Sequence, residues 1–142
     1  DGNKVSSPSY NKYGDYVVYR KNNEELKSFG VKRAFYNKKY FLKEYLDNFN
    51  NCFDLLRNRK VSLYYDYSPR MDISISDDSN KETVDELDSY LKENIEMQFI
   101  SSASISLMPP LYFYGTDNHL STEGVNIRTK RVINELLFIL NI

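Results

Sequence analysis

The sequence predicts an α/β fold in which a mainly parallel sheet is flanked by helices. Two observations carry that prediction. Stretches with apolar residues at spacings of three and four alternate with short runs dense in β-formers, and those runs stop at prolines: Pro69 after the first, the Pro109-Pro110 pair after the second. Strands that alternate with long helices favour a parallel sheet with helices on its faces.

In chain order, "DGNKVSSPSYNKYG", residues 1–14, is polar and without a period, so it is read as a loop or extended arm. "DYVVYR" follows as a short strand. From Tyr36 to Asn58 a long amphipathic helix is predicted, because Tyr40, Phe41, Tyr45, Phe49, Cys52, Phe53 and Leu56 recur at helical spacing. Its other face carries Lys38, Lys43, Glu44 and Asp47 and is read as solvated. "KVSLYYDYSP" is the first strand of the main sheet. "DDSNKETVDELDSYLKENIEM" opens with capping residues and sets Val84, Leu87, Leu91 and Ile95 on one face, which predicts a second helix. "QFISSASISL" is read as another strand. Glu123 to Leu140 closes the chain as a third helix, its stripe running from Val125 through Val132, Ile133 and Leu136 to Leu140. Residues 1–142 are read as one α/β domain or as the C-terminal part of a larger one.

Composition narrows the function. A chain of 142 residues can bury a core without disulfides or metal. Its net charge of −1, from 19 basic and 20 acidic residues spread throughout, argues against a nucleic-acid partner. No apolar run approaches the roughly 20 residues that span a bilayer. The single cysteine, Cys52, is read as a small core residue. One His and one Cys cannot form an ordinary zinc site, and five glycines include no phosphate-cradling loop. No metal and no cofactor is implied. The 13 tyrosines suit half-buried strands and helix edges, and equally a surface for sugars or partners.

Chemistry concentrates in "FYGTDNHLSTEG". Asp117 precedes His119, the only histidine, by two residues, on a segment placed after the last strand and before the last helix. Ligands of parallel α/β sheets collect in that position. A histidine holds or releases a proton near neutral pH, and a nearby carboxylate fixes its tautomer. The alternative is that both residues merely brace the entry to the helix. "YFYGTDNHLSTEGVNIRTKRVINEL" resembles the C-terminal block of the SGNH, or GDSL-type, hydrolase superfamily, in which an Asp and a His on a loop after the last strand precede a Gly and a closing helix. The spacing here, Asp117-Asn118-His119, is similar to that of alginate-acetylation proteins of the superfamily rather than to its usual Asp-x-x-His.

That resemblance implies a three-layer, flavodoxin-like fold, of which this chain would be an incomplete half. It also implies an esterase or O-acyltransferase acting on O-acyl groups of cell-envelope carbohydrate or a small ester, outside the cytoplasm. His119 would be the general base and Asp117 its orienting carboxylate. The superfamily's Gly-Asp-Ser-like nucleophile is absent from these residues. Ser6, Ser7 and Ser9 lie in the polar arm, and Ser101, Ser102, Ser104 and Ser106 fall within a predicted strand. Three explanations stay open: a hydrolase part whose serine lies upstream, a degenerate relative kept for carbohydrate or protein binding, and an unrelated α/β interaction domain. In "DYSPRMD", Arg70 is a candidate substrate clamp for a carboxylate or sugar-linked anion, with a local ion pair inside the turn as the alternative. Asp72, Asp77 and Asp78 lack the spacing of a calcium loop and are read as a helix-entry turn.

Overall fold

The computed structural model describes residues 9–10, 12, 16–17, 20–22 and 34–142. Strands β1 (Ser9–Tyr10) and β2 (Tyr16–Val17) pair antiparallel, so the arm expected over residues 1–14 contains a strand where it is described. Lys12 lies in a turn, and the rest of that arm lies outside the described residues.

The first long helix, α1 (Lys43–Arg57), starts seven residues later than its apolar period suggests. Asn37 accepts a hydrogen bond from the Lys39 amide and caps a separate 3-10 turn, Lys38–Tyr40. Phe41 and Leu42 are then extended, and the helix begins only beyond them. Leu46 and Phe53, one heptad apart, are the buried residues of α1. Cys52, expected in the core, is instead exposed: it sits one helical step round from Phe53, off the narrow buried face.

In place of the single mainly parallel sheet expected, the described residues form two separate two-stranded parallel sheets. Strand β3 (Tyr64–Tyr65) pairs with β5 (Gln98–Phe99), and β4 (Arg70–Met71) with β6 (Leu107–Met108), both in parallel. The crossover between them contains α2 (Lys81–Asn94), whose Asn80 and Thr83 close a reciprocal capping box. Val84, Leu87, Leu91 and Ile95 are all buried, as their spacing predicts. The mixture of helices and short parallel pairs agrees with an α/β class. The predicted strand over "QFISSASISL" is broken where Ser102, Ser104 and Ser106 make local hydrogen bonds rather than face a ladder. Ser106 donates to the Ala103 carbonyl at 2.6 Å, and residues 103–106 form a single helical turn, α3 (Ala103–Ser106).

Alternation along the strand segment separates two kinds of contact. Tyr65 and Tyr67 pack with Leu46 of α1 and with Leu87 and Leu91 of α2. Asp66, between them, accepts bonds from Arg128 at 2.8 Å and Arg131 at 3.2 Å, both on α4 (Thr122–Leu140), and from Ser101 at 2.6 Å. An ion-paired carboxylate thus fastens the last helix to the sheet. The apolar stripe of α4 is covered only in part, with Val132 and Leu136 half-buried and Phe138 84% exposed.

A second core cluster joins Met71, Met108, Phe113 and Leu120. It brings the segment before α4 against the ends of β4 and β6. Ser121 caps α4 by accepting from the Gly124 amide at 3.1 Å, and Gly124 lies so close to the Tyr112 carbonyl that a Cβ there would collide with it. Helix propensity alone favours alanine over glycine by about 1 kcal/mol. Because that carbonyl is held by the Ser121 amide at 2.8 Å, Gly124→Ala is expected instead to destabilise the fold by about 2 kcal/mol. Thermal unfolding monitored by circular dichroism checks the sign; a higher melting temperature would show that the helix entry shifts freely.

Candidate functional site

Residues 113–120 form a loop clamped at both ends and docked at its tip. Phe113 and Leu120 are joined by an antiparallel bridge, and the Tyr114 amide donates to the His119 carbonyl at 2.7 Å. Gly115, at φ 68, supplies the left-handed residue that the reversal requires. Thr116 then braces the tip: its hydroxyl accepts from the His119 amide at 3.1 Å and lies 2.9 Å from Asn118 Oδ1. The Met71 amide donates to the Asp117 carbonyl at 2.8 Å, which ties the tip to the carboxyl end of β4.

The candidate residues fall into one neighbourhood with a different pairing from the one expected. Arg70 Nη1 donates to Asp117 Oδ2 at 2.8 Å, the carboxylate side chain being 16% exposed. No hydrogen bond among the described residues joins Asp117 to His119, whose imidazole is exposed. A guanidinium carries a permanent charge and fixed planar donors, which suits it to hold a half-buried carboxylate. Asp117 does not cap the last helix either; Ser121 does. Arg70 was given a partner inside its own turn as the alternative to ligand binding, but its partner lies 47 residues away. The local acid, Asp66, is occupied by Arg128 and Arg131.

Other candidates resolve into structural roles. Asp78 accepts from Lys39, Tyr40 and Ser76, and these contacts, Lys39 foremost, hold its carboxyl well below the usual range. It braces the turn that leads into α2. Burial pushes the Asp72 carboxyl up, partly offset by the Ile73 amide. Ser101 is bound to Asp66, and none of the hydrogen bonds of the described residues links a serine hydroxyl to His119. The side chains of Ser6, Ser7 and Ser9 lie outside the described residues. Among the described residues no three His, Cys, Asp or Glu side chains are grouped to hold a metal ion, and no helix is long and apolar enough to cross a membrane.

A cleft of about 200 Å³ opens beside Arg70, lined by Phe35, Tyr36, Phe41, Tyr65, Tyr67 and Arg70 among others. Burial, with the Asp88 carboxylate nearby, pushes the Tyr67 hydroxyl far above the ordinary phenol range. Among the described residues it has no hydrogen-bond partner. The abundance of tyrosine hinted at such a surface, but rings contributed from residues 35 to 67 carry no local motif that announces a cleft.

Comparison with protein-family models, with curated proteins and with solved structures finds no match to this chain.

Proposed function

We propose that these residues form the Asp/His-bearing part of an SGNH-like esterase or O-acyltransferase that acts on O-acyl groups, on cell-envelope carbohydrate in particular. The observation that carries the proposal is the presentation of His119. His119 is exposed beside the clamped end of a loop whose end residues, Phe113 and Leu120, are buried and whose tip is tied to the carboxyl end of β4. A base held there by a rigid scaffold is reachable by substrate.

In this mechanism His119 takes the proton from a serine hydroxyl supplied by sequence upstream of these residues, while that oxygen attacks the acyl carbon. The same proton passes to the leaving alkoxide as the ester C–O bond breaks.

A second reading, a carbohydrate- or protein-binding module without catalysis, draws on the Asp117–Arg70 pair itself, which leaves His119 unoriented. Turnover by the product of the whole open reading frame separates the two, while the 142 residues alone test where the nucleophile lies. The 142 residues alone should hydrolyse p-nitrophenyl acetate no faster than buffer, with His119→Ala unchanged, because the base has no hydroxyl to activate. Robust hydrolysis abolished by His119→Ala would place a nucleophile among the serines of this chain and refute the upstream assignment.

A further inference from the structure

We propose that Arg70 and the aromatic cleft beside it form a binding pocket for a carboxylate carried on a single ring or a comparably compact apolar body. The guanidinium is the first reason. It offers five N–H donors in a planar fork, yet gives one bond to Asp117 and, among the described residues, no other. Its side chain is 28% exposed, so it is not sealed in the core.

The cleft is the second. Arg70 shares it with Phe35, Tyr36, Phe41, Tyr65 and Tyr67. The lining mixes aromatic rings with polar atoms around one charged group, and small-ligand sites combine ring or aliphatic walls with a few such polar groups. Aromatic faces bind a flat or ring-shaped body by stacking and edge contacts. A guanidinium at the wall selects a carboxylate over a neutral polar group, because two parallel N–H···O bonds fit that anion's geometry. The volume of about 200 Å³ admits one ring and little more.

Asp117 and the ligand carboxylate then compete for one guanidinium. Removing the Asp117 charge should therefore tighten ligand binding, whereas a purely structural ion pair predicts no such gain. This pocket goes beyond the hydrolase reading, since binding needs no turnover; failure of either one leaves the other standing.

The probe is benzoate, titrated into the 142-residue chain and followed by amide NMR, with benzyl alcohol as its uncharged analogue. Saturable shifts are expected around Tyr65 to Arg70, with benzyl alcohol and the Arg70→Gln variant each weaker by roughly tenfold or more. Asp117→Asn should bind benzoate more tightly than the unaltered chain. Should Arg70→Gln fail to fold, Phe41→Ala, at a 36% exposed position, provides the second test, with a loss of roughly threefold. Absence of shifts in the cleft, equal binding of benzyl alcohol, or unchanged affinity in either cleft variant would overturn the proposal.

Discussion

Phe113→Ala is expected to remove about 4 kcal/mol of stability, within the range for emptying a large aromatic site in a closed core. Phe113 is 0% exposed and packs with Met71, Met108 and Leu120, so it joins β4, β6 and the loop in one cluster. Its backbone also bridges Leu120. A cavity there is lined by side chains from three segments, and little can collapse to fill it. Urea unfolding of the variant measures the loss directly. The same substitution at Phe138, 84% exposed, should change stability by less than about 0.5 kcal/mol. A loss below about 1 kcal/mol at Phe113 would mean that the loop carrying Asp117 and His119 is not anchored by this cluster.

Periodicity and capping chemistry were strong guides where a helix buries one continuous stripe. The capping residues mark the start of α2, the apolar stripe marks that of α4 to within one residue, and the α2 stripe is buried throughout. The same signal overreached at α1. Tyr40 and Phe41 keep helical spacing, but the Asn37-capped turn and the extended residues after it start a new element. Apolar spacing does not register a cap that lies inside the period. In the serine-rich strand, alternation was outweighed by local hydroxyl bonds, Ser106 to the Ala103 carbonyl and Ser102 with Ser104.

The site was legible to a different extent. Its location before the last helix followed from the order of elements, and its members Arg70, Asp117 and His119 each stood out by chemical type. Which of them pair did not follow. Asp117 and His119 are two residues apart, but partner choice depends on a cation delivered from β4 by the fold. Likewise Asp66 finds Arg128 and Arg131 more than sixty residues away. Ion pairs at that separation have no sequence signature, because only the sheet register and the packing of α4 bring them together.

The chemistry assigned to His119 is tested by ester turnover in the product of the whole open reading frame that contains these residues, measured with and without His119→Ala. An exposed imidazole on a loop whose anchors lie elsewhere should be removable at little cost to stability, so matched melting temperatures would isolate its chemical role. If His119 is the base, kcat/KM should fall by roughly a thousandfold or more, since loss of one member of a cooperating set removes most of the set's effect. Substrate binding should change far less. Turnover that persists within a few-fold in the alanine variant would contradict the assignment and leave residues 113–120 as a binding loop.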